Sequence, residues 1–224
     1  LQWGGRSRRG RCRVTDATAT RRLTVVSAGL RVPSTTRMLA TELSEAAALA
    51  LAVEGEVRDA YEVVVRDVEV REHAHAIVDA LLTGFPTGEL AAAVEDVAAA
   101  DALVLVTPVY QASFSGLFKS FVDLIEEGRL RGTPVLLAAT GGTERHSLAI
   151  EYGLRPLVAH LGAVSVPTGV FAATGDLGSG GLSARIERAV GELAALVGGG
   201  PVVAPVRDEV ADPTPFAELL ARTS

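Results

Sequence analysis

Ala-Leu-Val-Leu-Val at residues 102–106 runs straight into Thr-Pro-Val-Tyr-Gln-Ala-Ser-Phe-Ser-Gly-Leu-Phe-Lys-Ser-Phe-Val-Asp-Leu-Ile at residues 107–125. The first five are apolar without alternation, which marks a strand covered on both faces. A polar loop carrying Pro108 and Tyr110 follows, and then apolar side chains at helical spacing. The order is buried strand, polar loop, helix. In an open parallel sheet, loops at the carboxyl ends of the strands line the ligand crevice.

The same alternation extends in both directions. Strands are read at residues 23–27, 61–65, 102–106, 134–139 and 164–170. A helix starts among Pro33, Ser34, Thr35 and Thr36 and continues through Met38, Leu39, Leu43 and Leu51. Further helices are read at 73–82, 88–100 with Thr87 as cap, 113–127, 144–161 and 182–197. Strict alternation of this kind gives an α/β fold, a doubly wound five-stranded parallel sheet with helices on both faces.

The 224 residues suit one such domain with a tail at each end: an Arg-rich leader at 1–20, the folded unit at 21–200 and a Pro-containing tail at 201–224. The tail's only helical spacing lies at 216–222. With 48% hydrophobic but only 4% aromatic residues, the core must be built from Ala, Val and Leu. No apolar run reaches the ~20 residues that span a bilayer, so the chain reads as soluble, without a membrane partner. Residues 1–22 hold seven Arg against Asp16, which leaves about −12 of the net −6 on the remainder. A folded unit that acidic excludes nucleic-acid binding by phosphate neutralisation. The leader is expected to be disordered and to bury nothing, and its opening at Leu1 reads as a misplaced start or a fragment edge. Cys12 is the sole cysteine, so no disulfide, metal cluster or thiol nucleophile is available, and a reducing cytoplasm is the expected setting.

Three loops carry chemistry. The first, residues 27–37, holds Ser27, Arg31, Ser34, Thr35, Thr36 and Arg37 before and within the first turn of a helix. Free N–H groups and the positive dipole end favour an anion there, and hydroxyls and a cation add charge-assisted bonds. Neither a G-x-G-x-x-G fingerprint nor a glycine-rich loop ending in Lys-Ser/Thr is present, so the loop fits one terminal monophosphate rather than a dinucleotide or ATP. A Ser or Thr at a helix start is equally an ordinary cap. The second loop, with Pro108, Val109, Tyr110, Gln111 and Ser113, offers backbone amides and one aromatic; on residue type alone it is also a plain turn packing its Tyr. The third, with Thr140, Gly141 and Gly142, lets backbone approach a ligand where a Cβ would intrude.

Residues 107–123 resemble the flavin loop of the flavodoxin-like NAD(P)H-dependent FMN reductases. The first loop resembles the family's Gly-Ser-x-Arg-x-x-Ser pattern: Arg31 and Ser34 match its Arg and second Ser, while Ala28-Gly29 stand in place of Gly-Ser. The lost hydroxyl leaves Ser27 or Thr36 to compensate. The third loop and residues 148–157 resemble the family's segment under the pyrimidine end of the flavin. The likeness covers about residues 22–197 and is greatest to reductases that feed reduced FMN to a partner monooxygenase of the alkanesulfonate or luciferase-like type.

The resemblance implies a flavodoxin-like fold, FMN and NADPH (or NADH) as cofactors, and a homodimer or homotetramer. It implies cofactor contacts from Ser27, Arg31, Ser34, Thr35 and Thr36 at the phosphate, from Pro108, Val109, Tyr110, Gln111 and Ser113 at the ring and ribityl chain, and from Thr140, Gly141 and Gly142 at the pyrimidine end. Hydride transfer from nicotinamide to flavin needs position and electrostatics rather than a proton-transfer residue, so no catalytic acid or base is named. A quinone or azo-dye reductase using bound FMN, a one-electron carrier and a non-enzymatic flavin sensor are the other readings of this fold; the scarcity of aromatics argues against the carrier.

Other signals carry less. His73 and His75, two apart on a helix, face different directions and share no metal. His146 follows the third loop without an assigned role. Residues 178–181, Gly-Ser-Gly-Gly, form a linker or a lid. Between 113 and 125, Phe114, Leu117, Phe118 and Phe121 exceed what one helix face needs, so part of them is expected to form a subunit interface.

Overall fold

The computed structural model describes residues 19–57 and 61–199. In it, β1 (Ala19–Ser27) lies between β2 (Tyr61–Glu69) and β3 (Ala102–Tyr110), parallel to both. β5 (Pro134–Gly141) follows on the far side of β3, and β6 (Val164–Ser165) with β7 (Val170–Ala173) completes the edge beyond it. The two-residue β4 (Ser113–Phe114) folds back antiparallel on the end of β3. The order is thus β2-β1-β3-β5-β6, with β7 beside β5. The direction of winding reverses at β1, and a crevice opens between the carboxyl ends of β1 and β3.

Successive strand residues point to opposite faces, and both faces are apolar. Leu103, Leu105, Val135 and Leu137 face a core with α2 (Ala74–Thr83), α3 (Gly88–Ala98), α4 (Gly116–Val122) and α5 (Arg155–His160). Val104, Val106, Leu136 and Ala138 face the other, under α1 (Thr35–Val57) and α6 (Gly180–Val197). The continuous apolar runs follow from this double cover. The chain is a flavodoxin-like α/β fold with a five-position parallel sheet. No single helix among the described residues is long and apolar enough to cross a membrane. Cys12, the leader up to residue 18 and the tail from 201 lie outside the described residues.

The strands read at 23–27 and 61–65 are longer, because Ala19–Ser27 pairs along its whole length with Tyr61–Glu69, so Ala19 and Thr20, read as part of the leader, belong to β1. Four further elements differ from their sequence reading, each for a local reason. The strand read at 102–106 runs on to Tyr110, because Val109 and Tyr110 pair with Phe114 and Ser113. That hairpin takes the first residues of the helix read at 113–127, which begins only at Gly116, with Ser115 Oγ accepting the Phe118 N–H at 3.4 Å. The long helix read at 144–161 is a 3₁₀ turn (Glu144–His146), a π turn (Ile150–Leu154) and α5. The break falls at Ser147 and Leu148, after which the π turn passes directly into α5; Pro156, which has no N–H to give the preceding turn, sits where the π turn hands over to the α-helix.

The fourth is the fifth strand, read as 164–170 and split in two around Pro167. Proline offers no ladder donor, so this stretch needs other partners. Arg155 supplies them from one face: Nη1 donates to Ser165 Oγ and the Val166 carbonyl at 2.8 Å each, and Nη2 to the Pro167 carbonyl at 3.0 Å. From α6, the Glu192 carboxylate accepts the Thr168 N–H at 2.8 Å and its hydroxyl at 2.7 Å. Glu151 holds Arg155 in place through two bonds of 2.7 and 2.8 Å.

The hydrogen bond from Arg155, ahead of the opposing effect of burial, holds the Glu151 carboxyl below its ordinary 4.5. A carboxylate depressed by folding stabilises above its unfolded pKa, and that contribution is lost as pH falls through the folded value. Arg155→Met, which removes charge-assisted bonds worth roughly 2 kcal/mol, is expected to lower the thermal midpoint by about 4–8 °C at neutral pH. The difference from wild type should narrow below pH 4.5; a constant difference across that range would contradict the assignment.

Candidate functional site

Helix α1 starts where β1 ends. Ser34 caps it, its Oγ accepting the Arg37 N–H at 3.2 Å and its carbonyl accepting the Met38 N–H at 3.0 Å. Among the described residues the N–H groups of Thr35 and Thr36 meet no acceptor, which leaves two donors at the positive end of a 23-residue helix. Arg37 points away. Its guanidinium pairs with Glu69 at 3.1 Å and reaches Asp67 at 3.7 Å, so Arg31 is the cation that remains beside the helix start.

The second loop is a two-residue hairpin. Gln111 and Ala112 both have positive φ, 48° and 66°, the pattern of a type I′ turn, which usually carries Asn-Gly. Two successive non-glycine residues in the left-handed region mark stored strain. Thr107 braces the base: fully buried, its Oγ1 accepts the Ser115 N–H at 3.0 Å and donates to the Pro108 carbonyl at 3.1 Å. Tyr110 is left 42% exposed at the edge of the turn.

The third loop leaves β5 beside the first. Thr140 and Thr36, both buried, share a hydroxyl hydrogen bond of 2.7 Å that ties the end of β5 to the start of α1. Gly141 is required by packing: a Cβ there would lie 2.8 Å from the Phe171 ring. Gly142 has open space around it.

Together the loops bound a cleft of about 330 Å³ lined by Leu30, Arg31, Pro33, Ser34, Thr35, Thr36, Pro108, Val109, Tyr110, Thr140, Gly141, Gly142 and Thr174. Ten of the residues named from sequence meet there. Three do not. Ser27 is buried beneath the cleft, Gln111 sits at the exposed apex of the hairpin, and Ser113 turns into a neighbouring hollow with Arg145, His146 and Tyr152. Thr174, just past β7, was not named from sequence, because the strand preceding it was read as ending at 170; correct placement of β7 would have found it. A larger cavity of about 400 Å³ lies across Phe171, lined by Glu144, Glu151, Asp176 and Arg185. Its three carboxylates disfavour an anion. Residues 178–181 begin α6 beside that cavity, with Ser179 as the cap, rather than covering the cleft.

The polar lining fits a monophosphate ester: two free N–H groups, hydroxyls and Arg31 at one end, and an apolar wall of Pro108 and Val109 leading to Tyr110 at the other. Comparison with known proteins shows the family. The sequence model of the family described as NADPH-dependent FMN reductase matches residues 21–177. The FMN reductase (NADPH) of Pseudomonas aeruginosa is 36% identical over 183 residues, covering 80% of this chain and 93% of that one. The NADH-dependent FMN reductase SfnF of Pseudomonas putida is 38% identical, covering 67% and 76%. Among solved structures, an oxidoreductase from Corynebacterium diphtheriae superposes with a TM-score of 0.76 at 41% identity, over 82% of this chain and all of that one. An NADH:FMN oxidoreductase superposes at 0.67 with 25% identity, over 88% and 99%.

The fold and the cleft define a flavodoxin-like oxidoreductase. The chain belongs to the NADPH-dependent FMN reductase family, whose reaction uses FMN and a reduced nicotinamide nucleotide.

The strain in the hairpin is directly testable. Ala112→Gly relieves about 1–2 kcal/mol of left-handed strain and adds unfolded-state freedom of roughly 0.4–1 kcal/mol. The thermal midpoint should therefore hold or rise by a few degrees; a fall would show that Ala112 is not strained.

Proposed function

We propose that the cleft between β1, β3 and β5 binds FMN with its phosphate on the start of α1, and that the enzyme reduces FMN and releases it to a flavin-dependent monooxygenase in the cytoplasm. The observation that carries the reading is the pair of unpartnered N–H groups of Thr35 and Thr36, flanked by Arg31 and facing the cleft. A bound FMN supplies a ring that takes up two electrons from reduced nicotinamide. Everything else is the chain's own work. Thr35, Thr36, Ser34 and Arg31 hold a dianionic phosphate; the carboxyl-end backbone of β3 and the third loop flank the ring; Pro108 and Val109 keep water from one wall. Nothing in the lining has to move a proton.

Release is supported by shape. Tyr110, Gly142 and Thr174 at the rim are exposed, so the cleft is open on the side where a ring would lie. A flavin held there is exchangeable, which suits delivery to a second enzyme. The lining lacks a second phosphate cradle, so FMN is expected to bind in preference to FAD. Relatives of this chain carry both NADPH and NADH in their names, so the donor is written as NAD(P)H.

Self-association is proposed on a different surface from that read in the sequence. Phe118 and Phe121 are core residues, at 0% and 1% exposure, and Phe114 and Leu117 are half-buried, so the α4 stripe does not stand free. An exposed apolar stripe lies instead on α2, with Val78, Leu81 and Leu82 spaced i, i+3, i+4, and exposed Phe85 follows just past the Gly84 cap. An apolar face of this kind pairs readily with its own copy across a two-fold axis.

The test is oxidation of NADPH and NADH followed at 340 nm with FMN, FAD, a quinone or no acceptor. FMN-dependent turnover, faster than with FAD, is expected. Turnover with quinone alone would favour a quinone reductase, and none with any acceptor would favour a flavin-binding regulator. Light scattering of the same preparation should show an oligomer that Leu82→Glu dissociates; a wild-type monomer at micromolar concentration would contradict the α2 interface.

A further inference from the structure

The short 3₁₀ turn Glu144–His146 sorts its charges between two recesses. At three residues per turn, successive side chains leave such a turn in three directions. Glu144 lines the larger cavity together with Glu151 and Asp176, whereas Arg145 and His146 line the hollow beside the hairpin. That hollow encloses about 240 Å³, and no carboxylate lines it, although the chain as a whole is acidic.

Arg145 and His146 are exposed, and among the described residues neither side chain has a hydrogen bond or an ion pair. The Ser113 hydroxyl stands with them in the hollow, on the strand that pairs with Tyr110. Gly153 leaves the way to it open. A Cβ there would lie 3.2 Å from the Phe114 ring and 3.8 Å from Ser113 Oγ. The hollow also adjoins the cleft along two stretches of chain. Tyr110 and Gly142 line the cleft, and Ala112 and Arg145, two and three residues on, line the hollow. Three residues of chain reach at most about 11 Å, a gap that the ribose–diphosphate–ribose bridge of a dinucleotide spans.

A reduced nicotinamide stacked on a flavin in the cleft has to lay its adenylate half on a recess beside the third loop. The larger cavity meets phosphates with three carboxylates. The hollow meets them with a guanidinium, an imidazole and a hydroxyl, a donor set suited to a phosphate monoester. We propose that the hollow receives the adenylate half of the nicotinamide nucleotide, and that Arg145, with His146 and Ser113, binds the phosphate on its adenosine ribose, so that the enzyme prefers NADPH to NADH. The inference rests on the cleft being the flavin site, and it names the donor which that reading leaves open. Arg145 offers its planar fork to a dianion; NADH carries a neutral hydroxyl at that place and gains nothing from it.

The test pairs binding with turnover. Calorimetric titration of the full chain with adenosine 2′,5′-bisphosphate and with 5′-AMP reads the ribose-phosphate contact without any flavin. Wild type should bind the bisphosphate at least tenfold more tightly than 5′-AMP. Arg145→Gln should lose about tenfold in bisphosphate affinity, the scale of one charge-assisted hydrogen bond, with 5′-AMP binding within twofold. In FMN-dependent turnover, wild-type kcat/KM should be at least tenfold higher with NADPH than with NADH. Arg145→Gln should raise KM for NADPH about tenfold at unchanged kcat and keep KM for NADH within twofold; His146→Gln should act in the same direction and less. Both side chains are exposed, so both variants should keep the wild-type melting midpoint.

Equal use of the two nucleotides by wild type, or an unchanged preference in Arg145→Gln, would overturn the proposal. So would the same loss in Arg185→Gln instead, which would put the adenylate in the larger cavity. An altered oligomeric mass in Arg145→Gln with an unchanged preference would also overturn it and make the hollow a contact between copies. Absence of FMN-dependent turnover with either nucleotide would overturn the flavin reading; bisphosphate binding that still depended on Arg145 would continue to support the phosphate site.

Discussion

A parallel sheet covered on both faces leaves only the ends of its strands free for chemistry. The apolar runs of β1, β3 and β5 oblige helices to pack on each side, and the three strands pair with one another along the ladder. Free donors lie at the start of α1, beside the loops at the carboxyl edge. The reversal of winding at β1 spreads those loops apart and makes a cleft of them. One buried bond, between the hydroxyls of Thr36 and Thr140, fixes the first loop against the third across that reversal. The start of α1 and the third loop are therefore held by the same contact.

The parts of this arrangement set by periodicity were legible in the sequence. Unbroken apolar strands alternating with amphipathic helices give the double-wound sheet, and the hydroxyl-rich start of α1 does line the cleft. The parts set by long-range partners were not. Nothing near Pro167 announces that Arg155 and Glu192 will bind the backbone on either side of it and split the edge strand. The hairpin at Gln111-Ala112 lacks the Asn-Gly that usually signals one, so residues 113 and 114 were read as helix. Phe118 and Phe121 show the limit of composition: surplus apolar residues on α4 turned out to face the core, because the helix sits between the sheet and α2.

Two glycines show how differently the same residue is used. Gly141 makes room for Phe171 and belongs to the packing beneath the loop, whereas Gly29 makes room for a hydroxyl that faces the cleft. Strain is confined in a comparable way. The two left-handed residues of the hairpin sit beside Tyr110, and buried Thr107 clamps the base of the turn. The hairpin is thus a stiff arm at the rim of an open cleft.

The central claim is that the start of α1 receives the phosphate of FMN. A crystal structure of the full chain soaked with FMN tests it most directly. The account predicts phosphate oxygens within hydrogen-bond distance of the Thr35 and Thr36 N–H groups, with the ring lying toward Tyr110 and Gly142. A flavin bound with its phosphate elsewhere, for example in the cavity lined by Glu144, Asp176 and Arg185, would contradict it.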